Sequence, residues 1–224
     1  MRGKLETLAM VLGFVGLVGT VVATAMPMWR VSAFIGANII VMETIWEGLW
    51  MTCAYQTDIR MQCRQYYSWL ILPPEMQAAR VLMCVSVILA FFAVLVAGCG
   101  VRSTNCCKDN ERGKNIVLVV GACMFLLSCL CTMIPVAWTT HTIIWNFYNP
   151  EVIDAEKHEI GAAIYVGWAT CGVLLAAGVI LICRYCPRQQ KEEGVYYAPT
   201  SAERQSMVHL ERKSNGSFKT MQYV

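Results

Sequence analysis

Two cysteines carry the clearest chemical signal in this chain of 224 residues. Cys53 and Cys63 lie in a hydrophilic segment that has no other cysteine. If that segment faces an oxidising exterior, the two thiols are expected to form a disulfide. Closing a loop of about ten residues contributes roughly 2–3 kcal/mol by restricting the unfolded chain. The predicted chemistry is therefore a structural cross-link in a small exposed domain.

Other reactive residues do not form a recognisable site. The histidines His141, His158 and His209 are too scattered to complete a zinc site with the cysteines. No nucleophile, base and orienting residue converge in the hydrophilic segments. The sequence therefore predicts neither an enzyme, nor a bound metal, nor a cofactor.

Four further cysteines lie at the ends of apolar runs, where acyl chains are attached in membrane proteins. They are Cys106, Cys107, Cys183 and Cys186. Palmitoylation and reduced juxtamembrane thiols explain this placement equally well, so both interpretations stay open.

The elements that must position these residues are apolar. The chain is 57% hydrophobic and 15% charged, and its mean hydropathy is +0.49, which indicates a membrane protein. Uncharged runs long enough to span a bilayer occur at about 8–25, 81–101, 116–138 and 160–183. The first run could instead be a signal peptide, but it is longer than the usual apolar core of about 7–15 residues.

The basic residues predict the orientation of these four spans. Arg2 and Lys4, the cluster from Arg102 to Lys114, and the cluster from Arg184 to Lys191 all lie on one side. That side is predicted to be the cytoplasm. The extracellular loops are then 27–80 and 139–159. Residues 1–186 form the membrane domain, and the tail 187–224 lacks apolar periodicity and is predicted to be disordered.

The first loop has the pattern of a small antiparallel sheet. Strand-like runs occur at 30–35, 39–42, 43–50 and 61–67, with a turn signal at 36–38. Pro73 and Pro74 precede a helix-forming stretch, so the second span is predicted to begin outside the bilayer.

At these positions the chain resembles the claudins, the four-span proteins of tight junctions. The residues that carry the resemblance are Trp29, Gly48, Leu49, Trp50, Cys53, Cys63 and Arg80. Further matches include Trp46–Trp50, Gln77–Arg80, Phe147–Pro150 and the final Tyr223-Val224, and they cover residues 5 to about 186 plus the terminus. The signature alone is also similar to that of four-span auxiliary subunits and of myelin or lens proteins, which do not form strands.

The resemblance implies a left-handed bundle of four transmembrane helices that carries a five-stranded antiparallel extracellular sheet. Claudins sit in the plasma membrane, polymerise with other claudins in one membrane, and pair with those of the neighbouring cell. The implied function is a paracellular seal, sometimes pierced by ion-selective pores, without catalysis.

In the family, charge selectivity depends largely on the position after the second signature cysteine, which is Arg64 here. A guanidinium in a narrow pore repels cations. Gln56 stands where cation-conducting claudins place an acid, and Arg60 adds to the positive field. The resemblance thus implies a cation barrier or an anion-favouring pore. Alternatively, Arg64 is a solvated residue paired with Asp58.

The family also assembles laterally by inserting an apolar side chain into an aromatic pocket of the next subunit. The matching side chain is Trp69, and the matching pocket residues are Phe147 and Tyr148. Claudins usually have Leu or Met at the position of Trp69, so the pocket is larger here or is overpacked. Alternatively, Trp69 belongs to the aromatic belt at the membrane surface.

The last two residues, Tyr223 and Val224, resemble the claudin terminus that binds PDZ domains. A C-terminus that ends in Val can add as a strand to a PDZ groove, where the Val side chain fills a pocket and backbone amides bind the carboxylate. The implied partners are scaffolds of the zonula-occludens type, although Gln222 is atypical of PDZ ligands.

Overall fold

A computed structural model describes residues 2–33, 43–56, 59–68, 72–101, 111–153 and 157–196. The described residues form four helices that are long and apolar enough to cross a membrane. Their bounds are α1 Arg2–Ala25, α2 Pro74–Gly100, α3 Glu111–Tyr148 and α4 Ala162–Tyr196. The four predicted spans are thus present, and α2 begins before the apolar run, as the prolines predicted.

All four helices extend beyond the predicted spans at one end or both, and α3 is extended at both ends. The span predicted to end at 138 continues to Tyr148, so α3 has 38 residues and is about 57 Å long. This length exceeds the hydrocarbon thickness of about 30 Å, and α3 therefore projects from the bilayer at its sheet end. The start of the predicted second loop is consequently helical.

The tail differs from its prediction over its first ten residues. The chain divides into a unit 1–182 and a second unit from Cys183 onwards. Within the second unit, helix α4 continues past Pro187 to Tyr196, where Gln, Lys and Glu are good helix formers. The predicted disordered segment 197–224 lies outside the described residues.

Five short strands form one antiparallel sheet in the order β4-β3-β2-β1-β5. They are β1 Arg30–Ser32, β2 Glu43–Glu47, β3 Met51–Gln56, β4 Ile59–Gln65 and β5 His158–Ile160. Four strands come from the first loop and one from the second, as the claudin resemblance implied. Most of the predicted runs 30–35 and 39–42 lies outside the described residues, so β1 is described only to Ser32.

A buried group of hydroxyls joins α2 to α3 within the apolar bundle. The Ser86 hydroxyl oxygen lies 2.8 Å from that of Ser128 and 2.6 Å from that of Thr132, and all three residues are fully buried. Ser86 also donates to the Ser128 carbonyl at 2.9 Å. Interhelical hydrogen bonds of this kind stabilise helix pairs in membranes, where water cannot replace them.

Replacing Ser86 with Ala is expected to lower the free energy of unfolding by about 0.6–2 kcal/mol, because the α2–α3 hydrogen bonds are lost. The matched control is Thr140→Val, since the Thr140 hydroxyl bonds only to the Val136 carbonyl of its own helix. Thermal unfolding of the purified variants in detergent measures the difference. Equal unfolding temperatures for the two variants would show that the hydroxyl group contributes nothing to helix association.

Candidate functional site

Arg80, near the start of α2, fastens the sheet to the helices. Its Nε donates a hydrogen bond to the Leu49 carbonyl. Its guanidinium carbon lies 5.2 Å from the ring centre of Trp50 and 5.4 Å from that of Tyr66. The residue is only 5% exposed. A cation held between two aromatic rings and a carbonyl is positioned by several independent interactions.

The two tryptophans of the signature attach the same region to α1. The indole nitrogen of Trp29 donates to the Ala23 carbonyl at 2.9 Å, and that of Trp50 donates to the Thr24 carbonyl at 3.0 Å. Gly48 lies so close to the backbone of Pro27 that an added Cβ would be 2.4 Å from the Pro27 Cα. The signature residues therefore lie together where the sheet meets α1 and α2.

Tyr66 completes the surroundings of Arg80. The Thr52 hydroxyl donates a hydrogen bond to the Tyr66 phenol oxygen. Burial raises the pKa of the Tyr66 phenol above its ordinary value of 10.0. The phenol is accordingly neutral at physiological pH, and its ring can pack against the guanidinium without bringing a second charge into the site.

The disulfide expected from the sequence is present. Cys53 of β3 and Cys63 of β4 are directly opposite each other in the register and are bonded. Cys53 is fully buried, whereas Cys63 is exposed at the edge strand. The bond thus ties the edge of the sheet to its interior.

One ion pair joins the sheet to α2, and one contact between an imidazole and a carboxylate lies within the sheet. Arg30 of β1 contacts the Glu75 carboxylate of α2 at 2.8 Å, and His158 of β5 lies 3.8 Å from the Glu47 carboxylate of β2. The partners are far apart in sequence, and no motif marks them, so the sequence offered no signal for either pair.

Arg64 lies in the same cross-strand row as these charges. The register aligns Arg64 with Thr52, Thr52 with Glu47, and Glu47 with Arg30. Arg64 is exposed, and the part of the chain that the structure describes contains no ion-pair partner for it. Gln56 and Arg60 belong to β3 and β4, but their side chains, like the whole of Asp58, lie outside the described residues.

A cleft of about 310 Å³ opens beside the sheet, between the end of α3, the start of α4 and β5. Its lining residues are Ile143, Ile144, Phe147, Tyr148, His158, Glu159, Ile160 and Tyr165. The rings of Phe147 and Tyr148 meet edge to face at 5.6 Å, and Tyr148 is 80% exposed. The predicted aromatic pair therefore lies on a helix and forms one wall of an open cleft whose lining is partly polar.

Trp145 adds an aromatic surface beside the cleft. It is 66% exposed, and its ring stacks on that of His141 with the ring centres 6.3 Å apart.

Trp69, Cys106, Cys107, Tyr223 and Val224 lie outside the described residues, and the side chain of Cys186 does as well. Cys183 is exposed and carries a free thiol. Among the described residues, no group of three or more His, Cys, Asp or Glu side chains could hold a metal ion.

Comparison with known proteins identifies the family. Residues 4–181 match the model of the PMP-22/EMP/MP20/Claudin family. The chain is 44% identical over 220 residues to claudin-8 of Mus musculus, an alignment that covers 98% of each chain. The chain belongs to the claudin family. Claudin-3 of Homo sapiens is 48% identical over 200 residues, covering 88% of this claudin and 90% of the relative. Claudin-4 of Canis lupus familiaris is 46% identical over 194 residues, covering 87% and 92%.

Membership defines the broad role of this claudin. With four apolar helices and a claudin sheet, it is a multi-pass membrane protein of tight junctions. Claudins are structural junction proteins rather than enzymes, and they interact with other claudins there. The identification as a claudin, made from the signature residues together with the further matches, is confirmed.

Proposed function

We propose that this claudin polymerises into strands that seal the paracellular space and exclude cations in favour of anions. The observation that carries the charge selectivity is Arg64, an exposed guanidinium after the disulfide on the edge strand. The proposal places the sheet outside the cell and both termini in the cytoplasm.

The charges around Arg64 support its role. Arg30 is paired with Glu75, and Glu47 faces His158, so each of these charges has an opposite or titratable partner. The cross-strand row places Arg64 two strands from Glu47, about 9–10 Å away at the usual strand spacing. A Debye length of about 8 Å at physiological salt largely screens that carboxylate from an exposed guanidinium. Among the described charges, the guanidinium of Arg64 is therefore the one that acts most directly on an ion passing near β4.

The charge selectivity is tested by expressing this claudin in epithelial cells of low resistance. We expect the sodium-to-chloride permeability ratio to fall when dilution potentials are measured. A ratio that rises while strands and junctional localisation are normal would contradict the anion preference.

We propose that lateral assembly uses the cleft, which receives Trp69 of a neighbouring copy. An indole buries about 150–250 Å² of surface, and a cleft of about 310 Å³ is roomy enough for such a ring. The apolar side chains of Ile143 and Phe147 on α3 and of Ile160 on β5 offer contacts to an interface anchor, and His158 and Glu159 add a polar side to the cleft.

Replacing Phe147 with Ala is expected to weaken association between copies in one membrane, because one wall of the cleft is removed. Truncating a buried interface aromatic typically costs about 2 kcal/mol or more, which is about thirtyfold in affinity. Energy transfer between labelled copies in the same cell measures the effect. Phe91→Ala is the matched control, since that Phe is exposed on the apolar surface of α2, away from the cleft. An equal loss of energy transfer in both variants would show that the cleft does not take part in lateral assembly.

We propose that Tyr223 and Val224 bind PDZ scaffolds of the zonula-occludens type. Deleting Val224 is expected to abolish capture by an isolated PDZ domain, because the apolar side chain and the terminal carboxylate both shift. A Val224→Ile variant serves as the control and should retain binding. Undiminished capture after the deletion would place the binding site elsewhere.

We also propose acylation of the juxtamembrane cysteines Cys106, Cys107, Cys183 and Cys186. The exposed thiol of Cys183, at the end of the fourth span, is consistent with this modification. Release of fatty acid from purified protein by hydroxylamine tests it, and protein whose four thiols all react with a maleimide before that treatment would exclude it.

A further inference from the structure

Two cysteines, Cys129 and Cys171, lie next to each other inside the helix bundle. The Cys129 thiol of α3 donates to the Cys171 carbonyl of α4 at 3.3 Å, and the Cys171 thiol reaches the Cys129 carbonyl at 3.9 Å. Both cysteines are free, and they are 3% and 5% exposed. Each sulfur thus lies against the backbone of the other residue, where the two helices make a close contact.

The surroundings of this pair are apolar. Cys129 and Cys171 belong to one buried cluster with residues that include Phe125, Ala122 and Leu174. Neither thiol has the clustered His, Asp or Glu neighbours that a metal centre requires among the described residues. Neither cysteine lines the cleft or takes part in the Cys53–Cys63 disulfide, so the pair is a separate feature of the bundle.

We propose that Cys129 and Cys171 form an oxidisable dithiol site that hydrogen peroxide converts to an interhelical disulfide. Peroxide first oxidises one thiol to a sulfenic acid: its oxygen–oxygen bond breaks, one oxygen bonds to sulfur, and water leaves. The second thiol then attacks that sulfur, the sulfur–sulfur bond forms, and the hydroxyl leaves with the thiol proton as a second water. Two thiols lose two electrons in total, and one peroxide gains them.

The position of the two cysteines inside the apolar bundle affects both the oxidation of the thiols and the reduction of the disulfide. Hydrogen peroxide is small and uncharged, so it can enter an apolar bundle. Glutathione is a charged peptide, and the cost of removing its charges from water excludes it from the same place. The disulfide is consequently expected to form slowly and to persist once formed. A disulfide at the cytoplasmic surface would instead be reduced by glutathione.

The cross-link would fix the helices that carry the cleft. Helix α3 supplies Ile143, Phe147 and Tyr148 to the cleft, and α4 supplies Tyr165. The two cysteines are 42 residues apart in sequence, so the bond would close a long loop and restrict the unfolded chain. We therefore expect the oxidised claudin to unfold several degrees higher than the reduced form.

Peptide mapping of the full-length claudin tests the proposal. Protein in native membranes is treated with hydrogen peroxide, denatured, alkylated with N-ethylmaleimide and digested without reductant. We expect a peptide pair joined through Cys129 and Cys171, with each sulfur unavailable to alkylation. The exposed thiols Cys99 and Cys123 report within the same sample that peroxide has reached the bilayer.

Two variants make the test specific. Cys171→Ser should abolish the linked peptide and the rise in unfolding temperature, whereas Cys131→Ser, two residues along α3 from Cys129, should leave both unchanged. Absence of the linked peptide in a sample whose Cys99 and Cys123 are oxidised would overturn the proposal. A linked peptide that leaves the unfolding temperature unchanged would overturn the claim that the bond stabilises the bundle.

Discussion

Replacing Arg80 with Gln is expected to detach the sheet from the helices and to cause a large loss of stability. A hydrogen bond from a charged donor contributes about 1.5–3 kcal/mol, and a desolvated cation–π contact contributes up to about 2 kcal/mol. Arg80 donates such a bond to the Leu49 carbonyl and lies over the rings of Trp50 and Tyr66. The free energy of unfolding should fall by about 3 kcal/mol or more.

Thermal unfolding in detergent and the fraction of protein at the cell surface measure this loss. A decrease of about 3 kcal/mol corresponds to roughly 6–12 °C for a chain of this size. The matched control is Arg64→Gln, an exposed arginine on the same sheet, which should change the free energy by less than about 0.5 kcal/mol. Arg80→Lys should recover part of the loss, because it keeps the charge without the planar group. If Arg80→Gln and Arg64→Gln unfold at the same temperature, Arg80 does not anchor the sheet.

Replacing Arg64 with Asp is expected to reverse the charge preference of the junction. A unit charge about 4 Å from an ion changes its energy by about 1 kcal/mol in bulk water, which is about a fivefold change in occupancy. Arg64→Asp removes the repulsion that a cation experiences and adds an attraction of similar size, so the two changes add for sodium and oppose chloride. The sodium-to-chloride permeability ratio should therefore rise by at least about fivefold in dilution-potential measurements.

The Arg64→Lys variant tests whether the selectivity depends on the positive charge or on the shape of the guanidinium group. The lysine variant should keep a low ratio, and the Gln variant should fall between Lys and Asp. The effect should weaken in high salt, because exposed charges are screened there. The same ratio in the unmodified claudin and in all of these variants, with normal strands, would mean that ions do not pass near β4.

The membrane architecture could be predicted from the sequence because its determinants are local. An apolar run of sufficient length specifies a span by itself, and Cys53 and Cys63 are the only cysteines in the hydrophilic segments predicted to be extracellular. The end of α3 could not be predicted in this way. Its residues after Trp138 begin with Thr139, Thr140 and His141, which end the apolar run without ending the helix. The helix stops at Tyr148, just before the Asn149-Pro150 pair.

The contacts that shape the site depend on tertiary packing. Arg30 and Glu75 are 45 residues apart, and nothing in either neighbourhood marks the other as a partner. Ser86, Ser128 and Thr132 likewise appear as isolated polar residues within apolar runs. Their pairing follows from how α2 and α3 rotate against each other, which periodicity does not specify. The same holds for Cys129 and Cys171, which the sequence offers only as buried thiols.

Polymerisation is the central claim, and freeze-fracture microscopy tests it most directly. Cells that lack tight junctions are made to express this claudin alone, and the contacts between expressing cells are replicated. The account predicts continuous intramembrane strands at those contacts. Protein that reaches the surface but remains as dispersed particles, without strands, would contradict it.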